Sequence, residues 1–236
     1  MTPMKKYILA LAILIAVASV PGSAQTEEKV VIDLRDVVTK AWSRERLRDL
    51  SAQTTPEAAA LISVSDCEKI LNALVGFTQH VNNRMNGVAS PTGYKQALLT
   101  ELQTAISLER SALDTFTRGI ELVPENSTSE NLQRFKASLT RSRGSATRSF
   151  AGFYSLASTL RQTPITLARS DAALKGVPYD GSKDTAVFRA ALADMDRAIE
   201  LAPSKAYYER RARIHTKLGN TAAATADTAK AASLTN

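Results

Sequence analysis

Residues 188–220 read FRAALADMDRAIELAPSKAYYERRARIHTKLGN, and this stretch decides the fold. Apolar and small residues recur every three or four positions, which predicts amphipathic helices. Pro203 is expected to end the first helix and Gly219 the second, since proline cannot continue a helix and glycine tolerates the left-handed conformation at a C-terminus. Ala191 and Ala198 lie one heptad apart, so a neighbouring helix can approach closely there. The stretch predicts helix, turn and helix, with a third helix in the Ala/Thr-rich end.

The rest of the chain has the composition of a helical protein. Its 236 residues include only 10 Gly and 8 Pro; 44% are hydrophobic, 22% charged and 6% aromatic. Long stretches without helix breakers favour an all-α fold over a turn-rich β architecture. We expect helical hairpins or a bundle of amphipathic helices in residues 25–164, followed by a helix–turn–helix region in residues 165–236.

Local signals predict where the upstream helices begin. Residues 25–33 are expected to form a loose tail, followed by a helix over about 33–51 that carries Trp42 on its apolar side. A lone Trp in such a stripe is a core residue more often than a binding anchor. Pro56 can open a short helix at its first turn, and Ser65 with Glu68 three positions later has the capping-box pattern, which predicts a stronger helix start.

A heptad of apolar residues from Leu99 to Val123 predicts one helix of an antiparallel hairpin. Glu109 interrupts the heptad, and two interpretations stay open. The carboxylate pairs with a base of a partner helix, because a buried charge needs compensation, or it is solvated at the edge of the seam. Pro164 is expected to end the next helix, and the loop over 176–182 marks an internal boundary.

The C-terminal stretch resembles a tetratricopeptide repeat. The order of aromatic, small, small, Leu and Pro is that of the family's second helix, and the aromatic, Ala and Leu-Gly-Asn that follow are those of the first helix and its turn. The matching residues are Phe188, Ala191, Ala198, Leu201 and Pro203, then Tyr208, Ala212 and Leu218-Gly219-Asn220, then Ala224 and Ala231. The resemblance covers residues 186–236, about one and a half repeats of the 34-residue kind.

This resemblance implies a scaffold that holds a peptide or a partner protein in a groove lined by first helices. On this chain the groove face would include Glu209, Arg213, Thr216 and Lys217.

The chain also departs from the family pattern. His215 stands where an aromatic is usual, and Thr221 and Thr228 replace large residues of the last helix. Because such repeats need about three copies to bury a continuous core, we expect this segment to dock its open side on the upstream helices. The last helix would then be a polar cap or a mating surface for another chain, which would make a homo-oligomer.

The first residues have the pattern of a secretory signal peptide. Lys5 and Lys6 precede an apolar run over 7–20, and Pro21 to Ala24 supply small residues for cleavage near Ala24. A retained membrane anchor is the competing interpretation, but it needs about 20 apolar residues. We therefore expect residues 1–24 to be removed and the mature protein to be exported, periplasmic or extracellular, without a transmembrane span.

No pattern in the chain indicates an enzyme. Cys67 is the only cysteine, so no internal disulfide can form, and it lies in an amphipathic pattern where a small buried thiol is the default. His80 has no carboxylate or second His at ligand spacing, so a surface or half-buried ring is expected. Gly-rich phosphate loops, metal-ligand spacings and nucleophile elbows are missing too, so we expect no catalysis, no cofactor and no metal.

A basic strip forms the alternative site. Residues 131–170 contain no acid, and Arg134, Arg141 and Arg148 are spaced by seven on one helical stripe. The strip would hold an anionic envelope polymer, an acidic lipid surface or an acidic protein. The other interpretation is a solvated face that pairs with acids of neighbouring helices, such as Glu101, Glu109 and Asp114. Nucleic acid is not expected, because no exposed aromatics are interleaved with the bases.

Overall fold

The computed structural model describes residues 24–86 and 92–234, with the backbone alone for residues 24–32 and 92–95. Every regular element in these ranges is an α-helix, so the predicted all-α fold is confirmed. The helices are α1 (Ala24–Ala41), α2 (Arg44–Ser51), α3 (Pro56–Asn86), α4 (Thr92–Ile106), α5 (Glu109–Glu121), α6 (Glu130–Leu174), α7 (Asp184–Leu201), α8 (Lys205–Lys217) and α9 (Thr221–Ser233).

The first two helices differ from the predicted tail and single helix. The tail predicted over 25–33 belongs to α1, and the helix predicted over 33–51 is divided between α1 and α2. The division occurs at Ser43, whose Oγ accepts a hydrogen bond from the backbone N–H of Arg46 at 3.2 Å. A serine in this position satisfies a free amide of a new helix, so it starts α2. Trp42 packs against the core beside this break, as predicted.

Helix α3 begins well before the predicted start at Ser65, so that prediction is wrong. Pro56 occupies the first helical position, where its missing N–H costs nothing. Thr55 Oγ1 accepts from the backbone N–H of Ala58 at 3.2 Å and caps the helix there. Ser65 and Glu68 therefore lie in a helix interior, where no amides are free for a capping box.

The heptad pattern from Leu99 to Val123 is divided between α4 and α5, with the break at Ser107 and Leu108. The break places Glu109 at the start of α5. Its side chain is buried and accepts hydrogen bonds at Oε2 from the hydroxyl of Tyr154 at 2.9 Å and from Nε of Arg197 at 3.2 Å. The interpretation that pairs Glu109 with a base is confirmed, and the solvated one is wrong.

Helix α6 runs through Pro164 for 45 residues, so the predicted helix end at that proline is wrong. A proline inside a helix removes a backbone hydrogen bond and costs about 3 kcal/mol. Packing on both sides offsets this cost, because Leu160 is buried in one core cluster and Ile165 in another. The division into 25–164 and 165–236 falls within α6 and stays a prediction.

The loop predicted over 176–182 separates α6 from α7. Gly176 has a φ of 63°, and the backbone N–H of Val177 donates to the carbonyl of Ala172 at 3.0 Å. This left-handed glycine and the bond back to the last turn form a common helix C-terminal motif.

The C-terminal helices follow the predicted arrangement. Ala191 and Ala198 are fully buried in α7, and α7 packs along α6, so the expected docking on an upstream helix is confirmed. Gly219 has a φ of 77° and turns the chain from α8 into α9. Helix α9 packs mainly on α8 and buries Asp227, which binds Arg211 through both carboxylate oxygens.

Helix α6 takes part in both of the larger core clusters. The larger cluster joins α1, α3, α4 and α5 to α6 through residues that include Leu34, Phe77, Phe116 and Phe150. The other cluster joins α6, α7 and α8 and contains Ile165, Phe188, Ala191, Met195, Ala198 and Ile214.

The predicted signal peptide lies outside the described residues except for Ala24. None of the helices that the structure describes combines the length and apolar character required to cross a membrane.

Candidate functional site

A cleft of about 510 Å³ lies between the C-terminal half of α6 and helix α8. The floor is the second core cluster, in which Met195 of α7 is fully buried. Helix α6 forms one wall and helix α8 the other. The lining residues are Ser158, Thr159, Gln162, Thr163, Thr166, Leu167, Met195, Arg210, Arg213 and Lys217.

The wall formed by α8 carries three cationic side chains. Arg210, Arg213 and Lys217 are spaced by three and four positions, so they share one face of α8. Arg210 Nη1 donates to Ser155 Oγ of α6 at 2.7 Å, and Lys217 Nζ donates to Gln162 Oε1 at 3.2 Å. Among the described residues, Arg213 has no hydrogen-bond or ion-pair partner. The cleft therefore contains one arginine whose donors are free and two cations whose hydrogen bonds go to neutral oxygens, and Lys217 Nζ also lies 5.0 Å from the centroid of the Phe188 ring.

The cations of the cleft repel one another. The pKa of Lys217 is lowered, first by loss of solvation and then by the charges of Arg169 and Arg213, while Asp184 acts in the opposite direction. Asp184 is itself occupied, since it accepts hydrogen bonds from Arg169 at 2.5 Å and from the hydroxyl of Tyr179 at 2.8 Å. The charges that lower the pKa of Lys217 would favour an anion beside it.

The hydroxyl groups of the α6 wall contribute few free donors. Thr159, Thr163 and Thr166 each donate to the carbonyl oxygen four residues earlier, at 3.1, 3.4 and 3.1 Å. The donors that face the cleft are thus mainly guanidinium and ammonium groups. Such donors form charge-assisted hydrogen bonds with carboxylate or phosphate oxygens.

Polar contacts between α6 and α7 fix the cleft wall. Ser158 Oγ donates to the carbonyl of Ala191 at 2.7 Å, where a small residue lets the two helices approach closely. Arg161 Nε donates to Asp194 Oδ2 at 2.6 Å. These bonds and the packing of Phe188 and Ile165 hold α6 in register with α7.

The predicted groove residues divide into two pairs. Arg213 and Lys217 line the cleft, whereas Glu209 and Thr216 are exposed on α8 outside its lining. Arg210 was missed, although its spacing from Arg213 and Lys217 was visible in the sequence. The α6 wall was also missed, because the predicted helix end at Pro164 concealed that α6 continues past the cleft.

The arginines of the basic strip are exposed on the N-terminal half of α6. Arg134 pairs with Glu130 one turn earlier, Arg141 Nε donates to the carbonyl of Ala137 at 3.3 Å, and Arg148 Nη2 donates to Ser145 Oγ at 3.2 Å. The predicted acceptors Glu101 and Glu109 are bound elsewhere. These two acids therefore do not pair with the strip, whereas Arg161 and Arg169 of the same helix pair with Asp194 and Asp184 of α7.

His80 and Cys67 both lie in the protein interior. His80 is buried, with Nε2 at 2.8 Å from Glu101 Oε2, so the expected surface or half-buried ring is wrong. Glu101 lies 21 positions away on α4, so local spacing could not find it. Cys67 is buried as predicted, and burial raises the pKa of its thiol to about 12, which keeps it protonated at neutral pH. In the described part of the chain, no three His, Cys, Asp or Glu residues form a metal-binding group.

No family model, curated protein or solved structure matches this chain.

Proposed function

We propose that this chain is an exported, non-catalytic helical scaffold that holds an acidic segment of a partner protein in the cleft between α6 and α8. The main support is the arrangement of Arg210, Arg213 and Lys217 around a concave surface. Among the described residues, none of the three forms an ion pair with an acidic side chain. Uncompensated cations at a partly desolvated site are unfavourable in the free protein, and a carboxylate from a partner relieves that cost.

The arrangement of the C-terminal helices supports this proposal. The end of α6 with α7, and α8 with α9, form two successive antiparallel hairpins. The cleft lies between the first helices of these hairpins, which is where the tetratricopeptide resemblance places a ligand groove. Half-buried Leu167 lies beside the cations and is the apolar side chain of the lining that a ligand can contact, since Met195 is fully buried. A peptide that carries both acids and apolar side chains fits this lining better than a small inorganic anion does.

Binding of a short labelled peptide that alternates Glu and Leu tests the proposal. Arg213→Gln with Lys217→Gln removes two cations of the cleft, and the affinity should fall about tenfold or more, because charge-assisted hydrogen bonds are lost. The matched control is Arg143→Gln with Arg189→Gln, which removes two exposed cations outside the cleft. Binding should also weaken as salt is raised. Equal affinity in the two double variants would rule out the cleft as the site.

Export is a separate part of the proposal and has its own test. Lys5, Lys6 and the apolar run after them support cleavage near Ala24. N-terminal sequencing of protein recovered from cells should begin near residue 25. A chain that keeps residues 1–24 would contradict the expected processing.

A second candidate function uses the basic strip alone to hold an anionic envelope polymer or lipid surface. It is favoured by Arg141 and Arg148, which are exposed and contact no acid among the described residues. Binding of this kind should be abolished by Arg141→Glu with Arg148→Glu and should be insensitive to Arg213→Gln with Lys217→Gln.

A further inference from the structure

The basic strip and the cleft lie on the same face of α6. Positions seven apart in an α-helix differ by only about 20° around the axis, and positions eleven apart by a similar angle. Arg134, Arg141 and Arg148 follow the first spacing, Thr159 of the cleft is eleven positions beyond Arg148, and Thr166 is seven further on. One uninterrupted helix thus connects the strip to the cleft.

The interval between Arg148 and the cleft is open at Gly152 and closed at Ser155, which is buried and contacts a cation of α8. A Cβ atom added at Gly152 would meet no atom within 4 Å, so nothing covers the face at that point. One turn further, Ser155 is seven positions from Arg148, and Arg210 donates to its hydroxyl at 2.7 Å. Arg210 of α8 therefore places a guanidinium group beside Ser155, which is seven positions beyond Arg148 on α6.

Small residues lie between the arginines of the strip. The guanidinium group of Arg141 extends back to the carbonyl of Ala137, and Nη1 of Arg148 would lie 3.7 Å from a Cβ at Gly144. Because alanine and glycine are small, no large side chain protrudes from α6 at these positions between the arginines. A ligand backbone can therefore contact α6 between Arg134 and Arg148 without being lifted by large side chains.

We infer that the basic strip and the cleft form one track for an extended acidic polypeptide. This inference rests on the proposed function, because the cleft is one end of the track. From Arg134 to Thr166 the face is about 48 Å long at a rise of about 1.5 Å per residue. An extended chain covers that length with about 15 residues at about 3.3 Å each. Cations about 10 Å apart match an acid at about every third residue of the ligand.

The shape and lining of the track favour a polypeptide over other polyanions. A flat lipid surface cannot follow the concave lining between α6 and α8. The cleft lining contains no aromatic side chain on which nucleotide bases could stack. The half-buried apolar side chain of Leu167 in its wall suits a peptide side chain between two acids.

Two labelled peptides test the track on the full chain. One has about sixteen residues with Glu at every third position, and the other is its first six residues. We expect the long peptide to bind at least about fivefold more tightly than the short one, because exposed charge pairs each add a modest increment. Arg141→Gln with Arg148→Gln should reduce the affinity for the long peptide about threefold to tenfold and leave the short peptide unchanged. The matched control is again Arg143→Gln with Arg189→Gln, because Arg143 lies on the opposite face of α6 and Arg189 lies on α7.

Each outcome separates the track from the proposed function. Equal affinity for the two peptides, or no effect of the strip variant on the long peptide, would overturn the track while the cleft remains a binding site. If Arg213→Gln with Lys217→Gln left the affinity for both peptides unchanged, the proposed function and the track would both be overturned. Tighter binding of an oligothymidylate of equal charge, or of vesicles of acidic phospholipid, would overturn the assignment to a polypeptide.

Discussion

Arg197 and Glu109 are 88 positions apart in the chain, and a hydrogen bond of 3.2 Å from Nε to Oε2 joins them. The bond fastens α7 to the first turn of α5, and the hydroxyl of Tyr154 on α6 donates to the same carboxylate. Burial and this hydrogen bond raise the pKa of Tyr154 to about 12, so the tyrosine remains a donor at physiological pH. Three helices thus meet at one buried carboxylate.

Substitutions of the two partners of this ion pair should lower the free energy of unfolding by different amounts. Arg197→Met leaves the carboxylate of Glu109, which is 5% exposed, without its base, and should lower the free energy of unfolding by about 3–5 kcal/mol. Glu109→Gln leaves an arginine whose side chain is 36% exposed and still paired with Glu200, so the loss should be about 1–2 kcal/mol. Denaturant titration measures both losses. Arg189→Met is the control, and equal losses for Arg197 and Glu109 would contradict the argument.

Replacement of Pro164 should stabilise the protein. The proline is exposed in the interior of α6, where it removes a backbone hydrogen bond. Pro164→Ala restores the N–H, and the free energy of unfolding should rise by about 1–2 kcal/mol, less than the full helix penalty because the unfolded chain also gains freedom. Thermal unfolding measures the change. Pro203→Ala, beyond the end of α7, should produce no such rise, and a destabilised Pro164→Ala variant would show that the packing of α6 requires the proline.

Enlarging the buried alanines should separate α7 from its neighbours. Ala198 is fully buried, so Ala198→Leu forces side chains and backbone to move and should cost about 1–3 kcal/mol. Ala226→Leu adds the same group on the exposed face of α9 and should have little effect. Circular dichroism during heating compares the two. Similar melting temperatures in both variants would mean that Ala198 does not set the helix spacing.

The lowered pKa of Lys217 makes peptide binding sensitive to alkaline pH. The amine loses its proton below the value near 10.4 that is usual for lysine, and the neutral form no longer attracts an acid. Affinity for the Glu-containing peptide should therefore fall as pH rises through this lowered pKa. Lys217→Arg keeps the charge and should remove that step from a titration between about pH 7 and 11. An unchanged step in Lys217→Arg would assign the transition to another group.

The lowered pKa of Lys217 also affects the stability of the free protein, and in the opposite direction: stability rises with pH, whereas peptide affinity falls. Since the folded state holds the proton of Lys217 less tightly than the unfolded state, folding releases protons in that range. The contribution of Lys217 to the free energy of unfolding should therefore increase as pH rises from the lowered pKa toward 10.4.

The sequence predicted the helices best where spacing alone determines them. The positions of Ala191, Ala198 and Gly219 predicted the C-terminal hairpins because close packing and a left-handed turn each require a particular residue. Boundaries were wrong where local signals competed with tertiary packing. Pro164 does not end α6, because Leu160 and Ile165 pack on either side of it, and no local pattern displays that packing.

The candidate site was only half visible for a related reason. Arg213 and Lys217 share a helix face that sequence spacing can reveal. Their opposite wall comes from residues about fifty positions earlier, such as Gln162, which bonds Lys217 across 55 positions. A contact of that kind depends on how hairpins stack, and the sequence has no period that encodes it. The buried pair of His80 and Glu101 was missed for the same reason.

Helix α6 supplies side chains to both core clusters without a change of secondary structure between them. Phe150 and Phe153 belong to one cluster and Ile165 to the other, only a few turns further along the same rod. A hinge between the clusters would have to break consecutive backbone hydrogen bonds of α6. Unfolding of either cluster would expose one side of α6 to solvent. The two halves should consequently melt in a single cooperative transition, and a cut anywhere in the middle of α6 should leave two fragments that cannot fold alone.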